Sequence, residues 1–203
     1  LRMGATFFLR MEWMTKANGK IYLTETGFDG FLAEPDKIYN GKAAKHLHHY
    51  TLKPGLIDHP YGSILMFDPV TNEMTALLPG GSGTTFPSKH LSNPDAITTV
   101  EKNGKTFLII QEDIFNSNRG RASDAALMEK NNVNEIYWLD LSIAKPTIDD
   151  LQRFVTAPLG AETSGGTFIK GNSRYYFFNI QHPSRNNPAP FNKSCTVVID
   201  LGK

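Results

Sequence analysis

The chain has 203 residues, 40% of them hydrophobic and 20% charged, with a net charge of +1. That balance excludes a disordered chain and gives no global attraction to nucleic acid or an acidic membrane surface. No apolar run approaches the ~18 residues of a membrane-spanning helix, and no signal peptide is visible.

In chain order the predicted elements are strands. FFLRMEWM, KIYLTET, GSILMFD and MTALLP form a first group, starting at Phe7. DAITTV, KTFLIIQED, EIYWLDL and LQRFVTA form a second, starting at Asp95. GTFIKG, SRYYFFNIQ and CTVVIDL form a third, starting at Gly166. All are rich in β-branched and aromatic residues and are bounded by Gly, Pro, Asn and Asp. The long stretch between Phe28 and Tyr61 has little periodicity and is expected to be a loop on one face. GGSG at 80–83 is expected to be a connecting turn, and 122–130 a short helix with Ser123 as its N-cap. Cys195, the only cysteine, permits no internal disulfide; its alternating strand context predicts a small core residue.

One segment recurs three times, as Arg10 to Thr26, Asn93 to Asp113 and Gly160 to His182. Each copy reads as an acidic residue, an apolar stretch, a polar turn with Gly, then a strongly β-prone run. Aligned on Gly19, Gly104 and Gly171, the acids are Glu12, Asp95 and Glu162. Four-stranded groups in series describe propeller blades around a central channel. Equivalent acids would converge on that channel, where carboxylates repel unless neutralised, usually by a metal. The reading is an all-β chain: about two and a half blades, residues 1–203 forming one partial domain that lacks its N-terminal blades. Such a piece alone is expected to expose sheet edges and to be poorly soluble.

Each candidate has a plainer reading beside it. Arg10 and Glu12 share one strand face at a spacing of two, as a functional pair or an ordinary ion pair. Asp95 follows Asn93-Pro94, which also forms turns. Glu112 and Asp113 end an apolar strand, as a solvated exit or a ligand cluster. Glu162 lies in GAETSGG, as a ligand or a polar loop residue. His46, His48 and His49 form HLHH, for which a solvated loop is favoured over a transition-metal site. His182 is a rim residue or a strand end. No G-x-S-x-G, Walker loop, dinucleotide-binding glycine pattern or H-E-x-x-H is present.

The ordered set F-x-R-M-E-W, G-K-I-Y-x-T-x-T, G-S-I-L-M-F-D-P-V-T-N-E, L-S-N-P-D, I-I-Q-E-D, A-P-x-G-A-E-T-S-G-G-T-F and F-F-N-I-Q-H-P resembles the C-terminal half of PhoX-type alkaline phosphatases and their bacterial relatives. The matches run from about Phe8 to Pro183. The resemblance implies part of a six-bladed β-propeller with calcium and iron at one channel mouth. It implies a metal-dependent hydrolase of phosphate monoesters, periplasmic or extracellular; the near-neutral charge adds the expectation of no nucleic-acid partner. By the same resemblance Glu12 and Arg10 are catalytic, and Glu12, Asp95, Glu112 and Glu162 are metal ligands. The family's iron-binding cysteine lies earlier in the full protein, and Cys195 does not match it. The competing readings are a calcium-dependent lactonase or esterase propeller and a noncatalytic ligand-binding propeller.

Overall fold

A computed structural model describes residues 6–32, 44–53, 56–82, 90–114 and 133–202. The described residues form an all-β structure of antiparallel sheets. The first sheet contains β1 (Met11–Ala17), β2 (Lys20–Glu25), β6 (Ser63–Asp68) and β7 (Glu73–Pro79), paired in that order. Between β2 and β6 run β3 (Phe28–Leu32), β4 (Thr51–Lys53) and β5 (Leu56–His59). The short strands β8 (Gly81–Ser82) and β9 (His90–Leu91) follow and pair with each other. The second sheet is β10 (Pro94–Lys102), β11 (Lys105–Glu112), β12 (Glu135–Asp140) and β13 (Gln152–Thr156), again in sequence order. The third is β14 (Glu162–Ile169), β15 (Asn172–Gln181) and β16 (Cys195–Asp200). None of these sheets closes into a barrel.

Local chemistry accounts for the hairpins. Asn18-Gly19 and Asn103-Gly104 both have positive φ, as a two-residue turn between right-twisted strands requires. At the same end of these sheets a second device recurs. The last residue of the third strand is an aspartate: Asp68, Asp140 or Asp200. Each caps its own turn by accepting the N–H two residues on, from Val70, Ser142 or Gly202. Each also meets a cation from the second strand, namely Lys20, Lys105 or Arg174. These pairs lie at the protein surface, where water and salt screen them, so they add little to stability.

Packing between the sheets supplies the core. Tyr22, Ile64, Leu78, Ile97, Leu108, Ile110, Tyr137 and Leu139 fill the space between the first and second sheets. Val100, Ile109, Ile136, Tyr176, Phe178 and Ile180 fill that between the second and third. The second sheet is therefore buried on both faces, which explains the continuous apolar run of β11.

Several expectations are corrected. The 28–61 stretch is not simply a loop, because β3, β5 and β4 pair as a small sheet and Lys45–Tyr50 form a 3₁₀ helix. His46 is not in a solvated loop: the helix buries Leu47 and turns His46 onto buried Glu25. Of GGSG, Gly81 and Ser82 pair with Leu91 and His90. Cys195 is exposed rather than core, because β16 is an edge strand. The helix expected at 122–130 lies outside the described residues.

Candidate active site

The site begins with a backbone feature. Arg10, Asn93 and Gly160 all have positive φ, at 58°, 52° and 71°. Each stands two residues before one of the aligned acids, Glu12, Asp95 or Glu162. In the first two sheets the same register follows. Met11 pairs with Glu25 and Pro94 with Glu112, and a bulge comes next in each, spanning Met11/Met14 and Pro94/Ile97. Glu12 and Asp95 fall within those bulges, which are places where strands re-aim side chains. In the third sheet pairing starts on the acid itself, Glu162 opposite Gln181. The strands β1, β10 and β14 adjoin in space, so the acids are neighbours across three sheets.

Their mutual field is marked. Burial, together with the Asp113, Glu12 and Glu162 carboxylates, pushes Asp95 up to about 7 against the pull of Arg10. Burial also raises Asp113, opposed by Arg10 and His182. Glu162 is raised by burial and by Asp113 and Glu12, with His182 and Arg10 opposing. The Arg10 guanidinium lies 3.5 Å from both Glu12 and Asp113. The Gln181 side-chain amide donates to Glu162 at 3.2 Å. Four carboxylates thus share one region with one arginine and His182.

Glu112 is not brought into this group. Its carboxylate is fully buried and accepts the Ser92 N–H at 2.8 Å and the Glu135 N–H at 2.9 Å. Adjacent residues on an extended chain face opposite sides. Glu112 therefore faces the backbone of the sheet while Asp113 faces Arg10. The first sheet repeats the arrangement: Glu25 is fully buried and accepts the Leu9 N–H at 2.6 Å. Leu9 and Ser92 each immediately precede a positive-φ residue, so both glutamates clamp the turn that aims the acid. Glu25 also holds His46, and His59 lies 3.8 Å away. Burial and His46 push His59 down to about 3, so it stays neutral and bonds Ser63.

Sequence reasoning missed Glu25 and undervalued Asp113. The available signal was that TET and QED both end the second strand of a copy, so Glu25 and Glu112 occupy one structural position. Of HLHH, the side chains of His48 and His49 lie outside the described residues.

Among the described residues, no group of three or more His, Cys, Asp or Glu side chains stands at ligand distances from one point. The donor chemistry nevertheless fits hard cations. All four acids offer oxygen, and their repulsion is only partly offset by Arg10 and His182.

The profile of one family, alkaline phosphatase PhoX, matches residues 1–184. No curated protein matches the chain.

Proposed function

The chain belongs to the alkaline phosphatase PhoX family, and on that premise we propose that it carries part of a metal-dependent phosphate monoester hydrolase site. The observation that carries the reading is Arg10, set between Glu12 and Asp113 among otherwise mutually repelling carboxylates. Glu12, Asp95, Asp113 and Glu162 would hold the cations, with calcium and iron as the proposed metals. Glu112 belongs to this proposal only as the residue that clamps the turn carrying Asp95. When bound, the metals supply Lewis-acid charge to the phosphoryl oxygens.

The chain's own residues do the rest. Arg10, whose side chain is 34% exposed, offers a planar and permanent charge to an incoming phosphate. Its contacts to two carboxylates fix the guanidinium before substrate arrives, which lowers the cost of orienting it. The buried Glu25 and Glu112 carboxylates hold the turns on which the acids sit. The larger sheets are read as blades of a six-bladed propeller, with Glu12, Asp95 and Glu162 at one channel mouth. A periplasmic or extracellular location is part of the same proposal; no helix among the described residues is long and apolar enough to cross a membrane.

The test is made on the natural full-length protein. Purified protein is assayed with p-nitrophenyl phosphate and with a lactone, and its metals are quantified. Phosphatase turnover with bound calcium and iron supports the reading. Lactone turnover alone, or a metal-free protein without turnover, overturns it.

A further inference from the structure

Asn93 is fully buried, has φ of 52°, and is not one of the site's acids. A non-glycine residue in this region is uncommon, and asparagine tolerates it best because its side chain can bond locally. Here every polar group of Asn93 has a partner. Its N–H donates to Tyr61 O at 2.8 Å, and its carbonyl accepts the Asp113 N–H at 2.8 Å. Its Oδ1 accepts the Ser92 hydroxyl at 2.8 Å. Its Nδ2 donates to Thr26 O at 2.9 Å and to Pro60 O at 2.8 Å. Thr26 and Pro60 belong to the first sheet's side of the junction, while Asp95 and Asp113 belong to the second.

One side chain therefore joins the two sheets at the point where the site acids leave them. Asp95 is two residues along from Asn93, and Asp113 is held by its carbonyl. Flanking bonds brace the same junction: the Thr24 hydroxyl donates to Asp95 O at 2.6 Å, and the Thr26 hydroxyl to Pro94 O at 3.0 Å. Arg10 immediately precedes β1 of the first sheet, and its carbonyl accepts the Thr26 N–H at 2.9 Å. The path from Arg10 through Thr26 and Asn93 to Asp113 is thus a continuous set of hydrogen bonds.

We propose that Asn93 is a positioning residue that fixes Asp95 and Asp113 relative to Arg10 by clasping Thr26 and Pro60 across the sheet junction. The inference rests on the phosphatase reading for its kinetic consequence, though not for its geometry. A displacement of about 1 Å in a reacting constellation can cost about a hundredfold in rate, so a clasp at this point has leverage that its own stability contribution does not measure.

The experiment uses the natural full-length protein and three substitutions. Asn93→Gly accepts the positive φ at no steric cost and removes the side-chain bonds, with a freer backbone as its side effect. Asn93→Asp keeps the acceptor for Ser92 but turns a carboxylate oxygen toward two carbonyl oxygens. Leu108→Val, a core change away from the junction, serves as a control for general destabilisation. For p-nitrophenyl phosphate, Asn93→Gly and Asn93→Asp are expected to lose at least about tenfold in kcat per folded molecule with KM little changed. Leu108→Val should keep kcat whatever its Tm. Crystal structures of the parent and Asn93→Gly give the second readout, in which Asp95 and Asp113 are expected to shift relative to Arg10. If the parent shows no phosphatase turnover, the functional reading falls and the crystal structures alone decide the positioning claim. Unmoved Asp95 and Asp113 carboxylates, or an Asn93→Gly protein with the parent's kcat, would overturn it.

Discussion

The Arg10 guanidinium lies 3.5 Å from the Asp113 carboxylate, across 103 positions of sequence. Arg10 precedes the first strand of the first sheet, and Asp113 follows the second strand of the second sheet. Their meeting joins two repeats at one point. Arg10 is also 3.5 Å from Glu12, so its charge is divided between neighbours and is oriented by both.

Arg10→Ala is expected to lower kcat/KM for p-nitrophenyl phosphate about 10²–10³-fold, the range for losing one preorganised transition-state donor. Metal bound per chain should stay near the parent's. Arg10→Lys should recover only part of the loss, since an ammonium cannot reproduce the planar fork. If Arg10→Ala loses metal as well, the arginine supports the acids and its substrate role must be dropped.

Glu112 and Asp113 are neighbours with different expected phenotypes. Glu112→Gln disturbs the acceptor for the buried Ser92 and Glu135 amides and should cost about 1–3 kcal/mol of stability. Asp113→Asn should fold with little loss and show reduced metal content and turnover. Thermal melts and metal analysis on both variants check this; interchanged results would return the ligand role to Glu112.

How far this was legible in the sequence follows from the same pair. The repeat, the hairpin glycines and the aligned acids depend on local chemistry, which a sequence displays. The choice between Glu112 and Asp113 depends on which face of one strand end turns inward, and that is set by the partner strand. The clamp role of Glu25 was hidden because the 16 positions separating it from Leu9 reveal nothing until the hairpin closes. The small sheet of β3, β5 and β4 was missed because its strands are short and carry no alternation. The terminal aspartates Asp68, Asp140 and Asp200 could have been found, since FD, LD and ID end the third strand of each larger sheet.

Metal-free protein should lose stability as pH rises through neutrality. Asp95 has a folded value of about 7 against an ordinary 3.8, owing to burial first and then to Asp113, Glu12 and Glu162. Between those values the folded state binds more protons than the unfolded state, so the associated stability is present below 3.8 and lost as pH climbs through about 7. The raised Asp113 and Glu162 act in the same direction. Urea melts across this range should show the slope, and Asp95→Asn should flatten it. A metal-free protein whose stability rose steadily from pH 4 to pH 8 would contradict the reading of these groups.

Gly166 tests the packing between the second and third sheets. A Cβ there would stand 1.9 Å from the Tyr176 hydroxyl and 2.2 Å from Gln111 Nε2, where those groups bond each other at 2.8 Å. Gly166→Ala should therefore cost about 1–3 kcal/mol, the usual range for overpacking. Turnover per folded molecule should survive, because neither Gln111 nor Tyr176 touches the carboxylate group. An unchanged melting temperature would show that the junction is looser than described.

The most direct test of the central claim is metal content and p-nitrophenyl phosphate turnover measured in the same samples of natural full-length protein and its Glu12→Gln variant. Glu12 lies in the β1 bulge, and glutamine keeps its size while removing the anionic oxygen pair. Bound metal and turnover are expected to fall together in Glu12→Gln. A variant that bound less metal yet turned over normally, or one that kept both at the parent's level, would contradict the claim that these carboxylates hold the metals of a phosphatase site.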